Sequence, residues 1–307
     1  MLQQIKMVTY SVADLSIHVE AWQQYLQYQE IHRGRISPEL AMLWNAPDIA
    51  HAAFVLLQPA SADAVWLRFI ETGHDLPFKH PLYQGWNATE LLVTEPDELA
   101  ASFRDSPFTV IGGPHDLYTS KKSPRAIQVL GPAGELLYFS RLLPGGSRYG
   151  LKGAKSFVDR TFNVIVGGTS LQAMGRFYAE QLGLRIYNPI SFTIPMLADV
   201  CGVASNTLFS LQIAKIAGRR FIVELDEYPP SVPARPIAPG GIPTGMSMVS
   251  FMVNSLADQP VTWRAAPQAI TDFGYSGKLA AVTEGAAGEW IELIESPAAP
   301  AVGDRSH

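Results

Sequence analysis

Gly131-Pro-Ala-Gly-Glu-Leu-Leu-Tyr-Phe139 and Gly285-Ala-Ala-Gly-Glu-Trp-Ile-Glu-Leu293 are near-copies, one towards the end of each half of a 307-residue chain. Each reads as a tight glycine turn feeding a buried strand. The halves also begin alike. Ile5 to Val12 alternates as a strand, and Asp14-Leu-Ser16 then opens a helix through Trp22 and Leu26. Phe162 to Val166 is the matching strand, and Thr169-Ser170 caps a helix through Phe177, Tyr178 and Leu182.

Sliding one half on the other by 156 positions places Met7 on Asn163, Leu26 on Leu182 and Arg68 on Glu224. The pattern recurs inside each half. Ala88 to Val93 with a helix over Pro96–Phe103 is the second unit of the first half, and Met248 to Val253 with a helix around Pro260–Phe273 is that of the second. The reading is an α+β chain of four tandem βαβββ units in two domains, 1–144 and 159–296, joined by a linker at 145–158 and followed by a disordered tail at 297–307. A second Pro/Gly-rich stretch, Tyr228 to Gly245, is expected to be a plain connector.

A net charge of −5 gives no electrostatic reason to expect nucleic acid or an anionic membrane. Cys201 is the single cysteine, which excludes an intrachain disulfide and a thiolate metal cluster. Without a signal-peptide pattern or a run of about 20 apolar residues, a cytoplasmic chain is expected.

Phe177-Tyr-Ala-Glu-Gln-Leu-Gly-Leu184 and Gly288-Glu-Trp-Ile-Glu-Leu293, each in its strand and helix context, resemble the vicinal oxygen chelate superfamily of glyoxalases, bleomycin resistance proteins and extradiol dioxygenases. Four units in tandem are similar to its two-domain dioxygenases. The resemblance implies that pairs of units curl into open cups with mixed sheets. It also implies a divalent metal held by histidine on the first strand and glutamate on the last strand of each unit. Carried over here, the cup of the first half holds Met7, Arg68, Ala88 and Tyr138, and the cup of the second holds Asn163, Glu224, Met248 and Glu292. No histidine lies between His115 and His307, so a His-His-Glu centre in the second half is excluded by inventory.

The expected catalytic residues are Glu292, Glu224 and Asn163. Two carboxylates facing one cup would raise one pKa and give an acid/base pair, with Asn163 orienting a carbonyl or hydroxyl. Arg68, Glu90, Tyr138, Trp290 and Met248 are expected to bind substrate. Arg68 would clamp a carboxylate and Tyr138 donate to an oxyanion; the structural alternative is an Arg68–Glu90 ion pair filling a vestigial cup. No cofactor is expected; a divalent metal at Glu224 and Glu292 is the alternative left open. Cys201 reads as a buried filler, and His74 and His80 as loop residues.

Three functions follow: a lyase, isomerase or hydrolase without the usual metal site; a protein that sequesters an apolar or aromatic small molecule; and a ring-cleaving dioxygenase with atypical ligands, which the missing histidines disfavour. Partners are a small-molecule ligand and a second copy of the chain as a homodimer.

Overall fold

The computed structural model describes residues 2–73, 83–193, 195–218 and 220–296. His74, His80 and the 297–307 tail lie outside them. Unit 1 comprises β1 (Leu2–Val12), α1 (Leu15–Leu26), β2 (Gln29–Arg35), α2 (Pro38–Leu43), β3 (Ala53–Gln58) and β4 (Trp66–Glu71). Unit 2 comprises β5 (Gly85–Val93), α3 (Pro96–Ser102), β6 (Thr109–Asp116), β7 (Arg125–Leu130) and β8 (Leu136–Arg141). Unit 3 comprises β9 (Val158–Gly168), α4 (Leu171–Arg176), β10 (Arg185–Ile186), β11 (Ile190–Thr193), α5 (Pro195–Val200), β12 (Leu208–Lys215) and β13 (Ile222–Glu227). Unit 4 comprises β14 (Gly245–Val253), β15 (Gln268–Ile270), β16 (Lys278–Glu284) and β17 (Trp290–Glu295).

The repeated glycine turns have a common physical cause. Glu135 and Glu289 fold back into their turns, and each accepts the backbone N–H two residues earlier, from Ala133 and Ala287, at 2.8 Å. A Cβ on Gly131 or Gly285 would fall on those carboxyl groups, so glycine is required where the turn opens. Helix starts also follow the sequence. Asp14 caps α1 by accepting from the N–H of Ser16 and Ile17, and Ser170 caps α4 by accepting from Ala173.

Unit 4 departs from expectation. No helix forms over Pro260–Phe273; the segment is irregular and then pairs as β15. Prolines at 260 and 267 leave only a short stretch between them, and its backbone turns to the sheet instead, Arg264 N–H donating to Val282 O at 2.7 Å.

The pairing of units also differs from expectation. β1 runs antiparallel to β14 and β5 antiparallel to β9, so the sheets are β15-β16-β17-β14-β1-β4-β3-β2 and β10-β12-β13-β9-β5-β8-β7-β6. Units 1 and 4 build one cup and units 2 and 3 the other, each sheet drawing on both halves of the chain. Of the edges that join, β14 is buried along its length and β1 from Met7 to Val12, and satisfying their backbone groups is what this pairing achieves.

Between the sheets and under the helices runs a continuous core holding Val8, Tyr10, Val12, Trp22, Phe69, Trp86, Val164, Val166 and Phe251. Two hydrogen bonds cross it, Tyr10 to Thr89 and Trp86 Nε1 to the Trp290 carbonyl at 2.7 Å. Val8, Tyr10 and Val12 pack under α1, as the alternation predicts, which turns Met7 and Thr9 to the concave face. The 228–245 connector spans the sheets, with Arg235 donating to Trp86 O and Gly240 O accepting from Asp48 N.

Candidate functional site

The parallel registers confirm the positional equivalence of the units. Thr9 pairs Arg68, Ile165 pairs Glu224, Ser250 pairs Glu292 and Glu90 pairs Tyr138, each two residues beyond Met7, Asn163, Met248 and Ala88. The cross-pairing nevertheless regroups these positions. Arg68, Met7, Met248, Glu292 and Trp290 share the 1–4 cup, while Asn163, Glu224, Glu90, Ala88 and Tyr138 share the 2–3 cup. Glu224 and Glu292 therefore lie in different sheets. They form no acid/base pair and no shared metal site, which corrects both expectations.

The 1–4 cup is filled. Arg68 and Glu292 are 1% and 0% exposed. The Glu292 carboxylate accepts from Trp44 Nε1 at 2.7 Å, from Tyr275 Oη at 2.7 Å, from Ser250 Oγ, and from Arg68 at 3.5 Å. Arg68 also donates to Thr9 Oγ1 at 3.0 Å and Tyr275 Oη at 2.7 Å, and it stacks on the Trp44 ring. Trp44 arrives with α2, whose Leu40, Ala41 and Leu43 pack on Met7, Met248 and Trp290. The ion pair that fills a cup is thus Arg68–Glu292; Glu90, the partner expected for Arg68, belongs to the other sheet. With every oxygen of Glu292 engaged and Met248 and Trp290 buried at 1%, these residues form a packed interior and offer no open substrate face.

The 2–3 cup has a different character. Asn163 Nδ2 donates to Glu90 Oε2 at 2.8 Å and to Glu224 Oε2 at 3.1 Å, tying two carboxyl groups to one amide. Ser140 holds the other oxygen of Glu90. Period-two alternation along β13 adds Asp226 to the face of Glu224, close enough for the two carboxyls to share a proton. Burial, then repulsion from Asp226 and Glu90, pushes Glu224 well above the usual carboxylate range. Burial lifts Asp226 to about 7. Glu90 is raised by burial, and Tyr138, hydrogen-bonded to Gln128, is raised by burial and the three acids around it.

Asn163 is 1% exposed, yet its Oδ1 has no hydrogen-bond partner; nor has Asp226 Oδ1. Glu90, Tyr138, Glu224 and Asp226 are all partly exposed, unlike their counterparts in the 1–4 cup. The helix insertions explain the difference. α5 occupies the place in unit 3 that α2 has in unit 1, but its Leu197 and Ala198 pack on Phe209, Tyr228 and Val232 at the rim. Cys201, half-buried beside this cluster, has its thiol pKa raised by burial. Apolar side chains flank the polar floor: Ala88, Leu136 and Ile165 on one side, Leu92, Phe162 and Ile222 on the other.

Asp226, Ser140, Trp44, Tyr275 and Ser250 were not among the residues expected at a site. Asp226 and Ser140 were reachable from strand alternation alone. Trp44 and Tyr275 come from loops, where no period places a side chain.

The donor sets do not fit the scaffold's metal. At the positions where the resemblance puts ligands, one cup has two thioethers, a guanidinium and a carboxylate, and the other an alanine, a tyrosine, an amide and a carboxylate. Among the described residues no group of three or more His, Cys, Asp or Glu side chains is arranged to hold a metal ion. A separate groove of about 590 Å³, lined by Phe177, Gln181 and Trp263, lies against α4 on the helix side of the sheets, away from both cups. Among the described residues no helix is long and apolar enough to cross a membrane.

No family model and no curated protein matches the sequence. Solved structures do match. Glyoxalase I from Zea mays superposes with a TM-score of 0.63 at 12% identity, covering 95% of this chain and 92% of that one. A candidate dioxygenase from Bacillus subtilis gives a TM-score of 0.58 at 11% identity over 96% and 86% of the two chains. The chain has the glyoxalase/dioxygenase fold, that of the vicinal oxygen chelate proteins. At such identities the likeness is one of architecture, and chemistry must be argued from the cups.

Proposed function

We propose that the 2–3 cup is the working site of an enzyme that moves a proton on a small organic molecule, as a lyase or isomerase does, without a resident metal. The observation that carries this reading is the Glu224–Asp226 pair beside Asn163. Burial and repulsion from Asp226 and Glu90 hold Glu224 well above the usual carboxylate range and burial lifts Asp226 to about 7, so two carboxyls of raised and unequal proton affinity stand side by side, as an acid/base pair requires. Asn163 holds Glu90 and Glu224 in place and presents Oδ1 to a substrate donor; Tyr138, kept protonated, can donate to a developing oxyanion.

A second reading, sequestration of a small molecule with an apolar body, is favoured by the clusters around Ile165 and Phe162 that flank the polar floor. One experiment separates the two: a metabolite library incubated with wild type, Glu224→Gln and Asp226→Asn and read by mass spectrometry. The enzyme reading expects conversion that rises as pH passes through about 7 and falls roughly 10²–10⁴-fold in the variants. Conversion equal in all three proteins refutes it, and binding without conversion favours sequestration. Tryptophan emission is a poor reporter here, because Trp86 sits in the intersheet core and Trp290 in the filled cup.

A further inference from the structure

Glu90, Glu224 and Asp226 stand on one concave floor, and among the described residues no lysine or arginine pairs with any of them. In the sister cup the single carboxylate, Glu292, has Arg68. Lys215, on the neighbouring β12, donates instead to the Tyr149 carbonyl at 2.8 Å. The floor is therefore rich in acceptors and, among the described residues, has no positive charge paired to it. Its two idle atoms, Asn163 Oδ1 and Asp226 Oδ1, are both acceptors, and Asn163 is 99% withdrawn from solvent. Buried acceptors without donors are costly unless a ligand supplies the donors.

Resting on the 2–3 cup as the working site, we propose that its ligand is an organic cation, a primary or secondary ammonium carried on an apolar body. The ammonium pairs with the Asp226 carboxyl, on the floor that also carries the unsatisfied Asn163 Oδ1, and supplies the countercharge that no described lysine or arginine provides. The apolar body lies along Ala88, Leu136 and Ile165 or along Leu92, Phe162 and Ile222. A carboxylate or phosphate in the same place would meet three acids and, among the described residues, no cation paired with them.

The proton balance is explicit. The ammonium enters already charged, and the carboxyl that becomes its partner gives its proton to solvent, at most one per ligand bound. The titratable groups facing this spot are Glu90 from β5, Tyr138 from β8, Glu224 and Asp226 from β13, and Tyr228 just beyond it, with Tyr149 also close enough to feel the charge of Glu224. Burial raises all three tyrosines, so the proton released near neutrality is that of Asp226, which titrates at about 7. Affinity for an ammonium should rise with pH up to about 7, approaching tenfold per unit while release is complete.

The test uses three probes that share a phenyl-alkyl body: 2-phenylethylammonium, 3-phenylpropionate and 3-phenylpropanol. Calorimetry at pH 6, 7 and 8, in buffers of different ionisation enthalpy, reads affinity and proton release together. We expect the ammonium to bind at least tenfold more tightly than the carboxylate, to release protons, and to lose at least tenfold in both Asn163→Ala and Asp226→Asn. An unchanged thermal midpoint in Asp226→Asn shows that the loss is not unfolding. If the carboxylate or the alcohol binds better, and Asp226→Asn still abolishes that binding, the ligand class is wrong and the cup remains the site. If no probe binds in a manner that either variant alters, the ligand class and the site assignment both fall.

Discussion

Replacing Glu292 with Gln tests whether the 1–4 cup is interior structure. All four groups that touch this carboxylate, Trp44, Tyr275, Ser250 and Arg68, donate to it. A glutamine keeps one acceptor oxygen but turns an NH₂ on donors, and it leaves the 1%-exposed guanidinium without an anion. At 3.5 Å and an effective dielectric of about 20, the ion-pair attraction is about 5 kcal/mol, most of it offset by desolvation of both charges. The intact pair is therefore worth little against an apolar substitute, whereas breaking it costs about 3–5 kcal/mol. Urea unfolding should show that loss, with a thermal midpoint lower by about 10 °C. Arg68→Met alone should cost a similar amount, and the double variant Arg68→Met/Glu292→Gln should recover part of it, with a coupling of about 2 kcal/mol or more. Losses below about 1 kcal/mol in both single variants, or no coupling, would mean that the cup is solvated and open, and the assignment of the site to units 2 and 3 would lose its main contrast.

Two further outcomes follow from the repeated turns. Burial raises the Glu289 pKa to about 7 from an unfolded value of about 4.3, so the folded state binds the proton more tightly. Its contribution is complete below about pH 4.3 and lost as pH climbs through 7, about 3–4 kcal/mol in all; Glu289→Gln should narrow the stability difference between pH 5 and pH 8 by that order, read by denaturant unfolding. Gly285→Ala places a methyl group on the Glu289 carboxyl and should cost about 1–3 kcal/mol, whereas Gly288→Ala meets no neighbouring atom and is strained through its φ of 78° alone.

The repeat was legible because its units carry local signals: an alternating first strand, capped helices opened by Asp14 and Ser170 in units 1 and 3, and the glycine turns before the last strands of units 2 and 4. Concave-facing positions were legible for the same reason, and Met7, Arg68, Asn163 and Glu224 all point where period two sends them. The mating of units was not legible. β1 chooses β14 over β5 through edges that look equally apolar in one dimension, so the cups were assembled from the wrong halves and Glu224 was matched with Glu292. Asp226 was not picked out from the sequence, although it stands two residues from Glu224 on the same face. What distinguishes the cups is the depth at which α2 and α5 seat, a tertiary outcome of two six-residue helices starting at the comparable prolines Pro38 and Pro195.

The nested pairing of units imposes an order of events on a chain that emerges from its amino end. Units 2 and 3 are consecutive, so their sheet can zip along β5 and β9 as soon as β13 has been synthesised. β1 must wait with its edge unmated until β14 follows the 228–245 connector, because Val8 meets Val249 across almost the whole polypeptide. β1 is thus made well before it is closed in, and a nascent chain stalled before residue 245 would expose an apolar edge that a chaperone or a neighbouring copy could seize.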